Sequence, residues 1–186
     1  MGNNAPETDK TTEVKTLFYC WSDALRRFAD INGRTTKYEF WSFQTASVLI
    51  FVVLSGFAVI FDAHHTIFEI YGLYFIIPFI TSCVRRLHDS GRSGKYMLPL
   101  IFLLVFALIN LEYDLTNTYL TIFLLLSYIS YLFPFLAADG EEFENQYGKT
   151  IIEAKFYNFY GTYFIRFMLA FLALAWGMLF VSIWSF

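Results

Sequence analysis

Long runs of apolar residues, broken by short polar turns, organise this chain from Phe40 to its end. The first, FWSFQTASVLIFVVLSGFAVIF over Phe40–Phe61, is long enough to cross about 30 Å of hydrocarbon as a helix. Four more runs predict four more helices: about Ile67–Val84, Tyr96 to about Ile109, Tyr119–Ala138, and Tyr163–Trp184. The third is short for a perpendicular span and is expected to be shallow or tilted. Pro78, in the middle of the second run, removes one backbone donor and predicts a kink there.

Ahead of these runs, TLFYCWSDALRRFADI has a different rhythm. Leu17, Phe18, Trp21, Leu25 and Phe28 share one helical face, and Asp23, Arg26, Arg27 and Asp30 take the other. That spacing predicts an amphipathic helix lying in the headgroup layer, although docking on a soluble partner would use the same pattern. The expected fold class is therefore all-α: a polytopic membrane helical bundle of about five transmembrane helices preceded by an interfacial amphipathic helix.

Composition agrees, with 57% of the 186 residues hydrophobic and 22% aromatic, a balance outside that of an ordinary soluble domain. A net charge of -3, with no long basic tract outside the loops, argues against nucleic acid as a partner. Cys20 and Cys83 are far apart and in no metal-ligand spacing, so both read as free thiols. The first fifteen residues, MGNNAPETDKTTEVK, are polar, are expected to be disordered, and lack the apolar segment of a cleavable secretory signal.

Charge distribution then orients the spans. Lys10, Lys15, Arg26, Arg27, Arg34 and Lys37 precede the first run; Arg85, Arg86, Arg92 and Lys95 separate the second and third; Lys149 and Lys155 separate the fourth and fifth. The other two loops, DAHHT and NLEYDLTNT, carry no lysine or arginine. Cations held on alternate loops predict a cytoplasmic amino terminus and an external carboxyl terminus. Arg166, one turn inside the last run, can snorkel to the headgroups.

The densest chemistry lies in RRLHDSGRSGK, Arg85–Lys95. Arg85 and Arg86 complement a helix carboxyl terminus, Gly91 suits a left-handed cap, and Ser93 can restart a helix. Either arginine is also spaced to pair with Asp89 along one helix, leaving Glu39 to reach across from the first span. Arg34, Lys37, Arg85, Arg86, His88 and Arg92 thus form a candidate site for anionic lipid headgroups or small anions, with Glu39 and Asp89 as charge partners. The same residues serve equally as a structural ion-pair cluster holding the first two spans together. The acidic run DGEEFENQ after the fourth span could also close over this turn as a clasp.

Three segments carry a resemblance: GRTTKYEFW, RRLHDSGRSG and ADGEEFENQYGKT. In order and spacing they resemble the signatures of the domain of unknown function 805 family, small bacterial inner-membrane proteins of the YhaH and YhaI type, over roughly Leu17–Thr150. The resemblance implies a four-span inner-membrane domain over 16–150 and brings no established activity. The family commonly has arginine at the position of Lys37, aromatic residues at those of Lys95 and Tyr96, and a proline-containing run where this chain reads EEFENQYGKT. Residues 151–186 then look like an additional carboxyl-terminal transmembrane helix, through which a protein partner or a second copy could bind.

No nucleophile elbow, HExxH or phosphate-binding glycine loop occurs, so no catalytic residue, metal site or cofactor is assigned and enzymatic activity has no motif behind it. His88 and Asp89 project about 100° apart on a helix and do not readily share one metal, and His64 and His65 fall on the opposite side of the membrane in this topology. Glu69, near the external end of the second run, is either an interfacial carboxylate or an intramembrane relay. The function expected is an interaction, scaffold or lipid-organising component of the inner membrane, with anionic membrane lipids as partners. The alternatives are a small transporter, channel or exporter accessory subunit and, further off, a membrane enzyme acting on lipid headgroups.

Overall fold

A computed structural model of the chain describes residues 16–61, 64–110, 115–149 and 158–184. These residues are helical almost throughout: α1 (Leu17–Arg26), α2 (Lys37–Ile60), α3 (His64–Asp89), a 3₁₀ turn (Gly94–Met97), α4 (Leu98–Asn110), α5 (Leu115–Ala137) and α6 (Asn158–Trp184). Each apolar run lies within or across one of these helices. Residues 1–15, expected to be disordered, lie outside the described set, as do the side chains of His64, His65 and Glu69.

Helix ends follow local chemistry. The α2 helix starts three residues earlier than its apolar run because Thr36 and Glu39 form a capping box: Glu39 N–H donates to Thr36 Oγ1 at 3.2 Å, and Thr36 N–H to Glu39 Oε2 at 3.1 Å. At the other end of the hairpin α3 closes in a Schellman turn, Arg92 N–H donating to Leu87 O at 2.8 Å and Gly91 N–H to His88 O at 3.1 Å. Gly91 takes the left-handed φ of 70° that this cap requires. Ser93 then caps the 3₁₀ turn, as its sequence position suggested.

Packing runs α1 on α2, α2 between α3 and α6, and α5 against α3, α4 and α6. Phe40, Trp41, Cys83, Leu87, Met97, Leu132 and Leu136 form the buried apolar cluster where these helices meet. The outward faces carry apolar side chains instead, Leu49, Val52, Ile70, Leu73 and Leu174 among them, as a bundle solvated by hydrocarbon requires. Three of the described helices contain stretches long and apolar enough to cross a membrane: Lys37–Ala58, Ile70–Asp89 and Tyr119–Ala137. Shorter apolar helical stretches cover Gly94–Ala107 and Ile165–Met178.

The α1 helix is held by its small residues rather than its large ones. Cys20 and Ala24, one turn apart, are buried, whereas Phe18 and Phe28 from the expected apolar stripe are exposed. Small side chains permit close approach of two helices, and of the bulky stripe Phe18 and Phe28 are left facing outward while Leu17, Trp21 and Leu25 are half-buried. The α6 helix docks on its own bundle, with Trp176 Nε1 donating to Ser130 Oγ at 3.1 Å and its ring edge-on to Phe123 at 5.4 Å.

Candidate functional site

At the end of the bundle where α3 finishes, adjacent arginines reach in different directions because successive residues on a helix diverge by about 100°. Arg85 turns towards α1. Its Nε donates to Thr35 Oγ1 at 3.0 Å, and its Nη1 donates to the carbonyls of Arg27, at 3.3 Å, and Asp30. Arg86 turns towards α5, where Nε donates to Leu136 O at 3.0 Å and Nη2 to Ala138 O. Helix carboxyl termini leave carbonyls without intrahelical donors and carry partial negative charge. Each arginine therefore caps a neighbouring helix, Arg85 just past the end of α1 and Arg86 at the end of α5.

Asp89 joins this hub to the segment before α2. Its Oδ1 accepts from Arg34 Nε at 2.9 Å and its Oδ2 from Arg86 Nη1. Arg34 also donates through Nη1 to Phe143 O at 2.9 Å and through Nη2 to Glu141 O at 2.6 Å. Arg34, Arg85, Arg86 and Asp89 are all buried, with Arg86 at 0% exposure. Two cations around one carboxylate would leave a buried excess charge, and the carbonyls of residues 136, 138, 141 and 143 supply the remaining negative potential. The pairing of Arg85 with Asp89, allowed by spacing, is replaced by these longer-range contacts.

The segment after α5 closes over the turn as a clasp, and it does so with its backbone, the Asn145 side-chain amide and an aromatic ring. Glu141 N–H donates to Asp89 O at 2.8 Å, and Asn145 Nδ2 donates to His88 O at 3.0 Å and to Glu141 Oε2 at 2.7 Å. Tyr147 stacks on His88 with ring centroids 3.8 Å apart, while His88 Nδ1 lies 3.2 Å from Gly33 O. A carbonyl can only accept, so Nδ1 carries the hydrogen there. Gly140 passes so close to Asp89 that an added Cβ would overlap the carboxylate.

Around this hub lie the remaining sequence-selected residues. Lys37 pairs with Asp139 at 2.8 Å on the exposed rim, and that hydrogen bond, followed by the lysine charge, holds the Asp139 carboxyl below its usual range. Glu39 closes the α2 capping box and, with Arg85, lines a small polar crevice. Arg92 sits over the Phe135 ring at 4.0 Å, with its Nε buried and unbonded. Glu69 lies on α3 away from its charged end, in the helix's first two turns. Among the described residues no three His, Cys, Asp or Glu side chains are grouped to hold a metal ion. Both Asp89 oxygens are engaged by arginines and His88 faces a carbonyl, so the two do not form a base and its orienter.

Residues 28–149 match the family described as Protein of unknown function (DUF805), a stretch that contains all three segments of the hub. The chain belongs to the DUF805 family. Inner membrane protein YhaI of Escherichia coli (strain K12) is 25% identical over 75 residues, covering 40% of this chain and 64% of that protein. The protein of the same description from Escherichia coli O157:H7 matches to the same extent. The matched region is thus somewhat under two thirds of the length of these relatives. No solved structure matches the chain. The family region begins after α1, later than the Leu17 boundary expected from the motifs, and ends before α6. With its apolar helices, the chain is a membrane protein of a family whose function is unknown.

Membership puts the hub in context: the three motifs that carried the resemblance are the three strands of one buried network. The sequence points to its charges but not to Thr35, Gly140 or the carbonyls that complete it. The available signal was the trio of motifs itself, each at the same end of a predicted span.

Proposed function

We propose that this protein is an interaction and lipid-organising component of the bacterial inner membrane, and that it binds anionic headgroups at its cytoplasmic rim. It crosses the bilayer five times, amino terminus cytoplasmic and carboxyl terminus external, with α1 lying in the cytoplasmic headgroup layer. The alternation of cationic loops supports that topology, and the outward-facing Phe18, Phe28 and Ile31 support interfacial placement of the α1 segment.

The observation that carries the reading is the division among the cations. Arg34, Arg85 and Arg86 are committed to protein acceptors, whereas Arg92 rests on Phe135 with an unbonded Nε, next to exposed Lys95 and Tyr96. A guanidinium steadied by an aromatic face at headgroup depth suits a lipid phosphate. Of Arg34, Lys37, Arg85, Arg86, His88 and Arg92, the headgroup role therefore concentrates on Arg92, with Lys37 and Lys95 on the same rim. Transport is supported less, because the cavity among α2, α3, α4, α5 and α6 is walled almost entirely by apolar side chains.

Native mass spectrometry of protein released from mild detergent tests this proposal. Wild type is expected to retain anionic glycerophospholipid, and an Arg92→Gln, Lys95→Gln variant of unchanged thermal stability to retain about 25-fold less, a factor of about five for each lost basic residue. Equal retention by both proteins, or no anionic lipid on either, would overturn it.

A further inference from the structure

Beneath the charged hub, a cavity of about 260 Å³ lies among α2, α3, α4, α5 and α6. Buried Phe40, Cys83 and Leu132 form its floor, and the half-exposed Val48, Ile129 and Phe171 form its mouth, so it opens on the side of the bundle. For comparison, an engineered apolar cavity of about 150 Å³ stays dry and takes up benzene. Gln44 lines this otherwise apolar space, is only 8% exposed, and has an Nε2 donor with no hydrogen-bond partner. An amide donor left unpaired in a dry site is costly, and water is a poor tenant of a space whose walls offer it so few partners.

We propose that this cavity binds one acyl chain of a membrane glycerolipid, the buried Gln44 amide turning its Nε2 into the space to donate a hydrogen bond to the chain's ester carbonyl. The inference rests on the inner-membrane placement above and adds a site for the chain to the site for the headgroup. Depth supports the choice of occupant. Gln44 lies seven residues beyond Lys37 along α2, about 10 Å by helix rise. The headgroup layer occupies roughly 5–7 Å of each leaflet, so an amide at this level meets the region where ester carbonyls give way to hydrocarbon. The mouth faces that hydrocarbon, and the supply of chains is the bilayer itself.

The experiment uses full-length protein in bilayers containing a diester phosphatidylglycerol with a photoactivatable diazirine midway along one chain. Labelling is expected on wall residues such as Leu132, Phe133 and Met168. Gln44→Leu, which removes the donor at similar volume, should reduce that labelling about five- to tenfold, as expected for one buried hydrogen bond. An ether-linked probe should label wild type as weakly as the diester labels Gln44→Leu, with no further loss when both changes are combined. Equal labelling of wild type and Gln44→Leu, label confined to outward residues such as Leu73 and Leu169, or a second copy of the chain crosslinked into the cavity would each overturn the proposal. Leu172→Trp, which fills the space from α6, gives an independent block if Gln44→Leu alters folding. Repeating the assay with a zwitterionic headgroup and with Arg92→Gln, Lys95→Gln separates the two sites: failure of the headgroup reading leaves wall labelling intact, and failure of the chain site leaves anionic preference intact.

Discussion

Around Asp89 the polar network is closely matched, two arginines to two carboxylate oxygens, with further donors of Arg86 to carbonyls at the end of α5 and of Arg34 to carbonyls of the segment after it, whereas around Gln44 the packing leaves a cavity and an unpaired amide. The contrast teaches what a bilayer tolerates. A buried charge has no solvent to fall back on, so its ligands must all come from the protein. An apolar gap facing hydrocarbon can be filled by the solvent itself.

The largest effect should come from the matched side. Asp89→Asn keeps the shape but leaves Arg34 and Arg86 buried without their counterion, and is expected to cost about 3–5 kcal/mol, read by equilibrium unfolding in mixed micelles. A loss below about 1 kcal/mol would mean that the carbonyl dipoles alone neutralise the arginines. Next in size is a pair of added-volume changes with opposite signs. Gly140→Ala forces a methyl against the Asp89 carboxylate and should destabilise by about 1–3 kcal/mol. Leu172→Phe, entering the cavity, should stabilise the lipid-depleted protein by roughly 0.5–2 kcal/mol. Matching losses from both would show the lower region to be as closely packed as the hub.

The smallest effect concerns the exposed rim. The Asp139 carboxyl is held below its usual range by the hydrogen bond and charge of Lys37, so its contribution to stability is present above the ordinary carboxylate range and disappears as pH falls through the lowered value. Carboxylate titration followed by NMR should show that depression and its loss in Lys37→Met. Because Asp139 is 92% exposed, salt should screen the effect and stability should barely change. A pronounced stability loss in Lys37→Met would instead make Lys37 part of the hub.

How much was legible varied with the range of the interaction. Helices α2 to α6 could be read from the apolar runs, since an apolar segment placed in hydrocarbon must satisfy its own backbone as a helix. The cap at Gly91 and the restart at Ser93 were equally readable, being decided by neighbours along the chain. For α1 the periodicity predicted a helix with a bulky apolar stripe, whereas the residues buried against the bundle are Cys20 and Ala24, because close packing selects small side chains that hydropathy ranks low.

The sequence by itself determined where helices form, which loops carry the cations, and which side chains bear charge at one end of the bundle. Those features depend on local backbone satisfaction and on transfer between water and hydrocarbon, both properties of short segments. Only the tertiary structure decided that Arg85 and Arg86 cap the ends of α1 and α5, that Asp89 belongs to Arg34 as well as Arg86, and that Gln44 is left without a partner. The reason is physical: their acceptors are mostly backbone carbonyls about fifty residues or more away, every residue has such a carbonyl, and only the fold determines which ones are free and within reach.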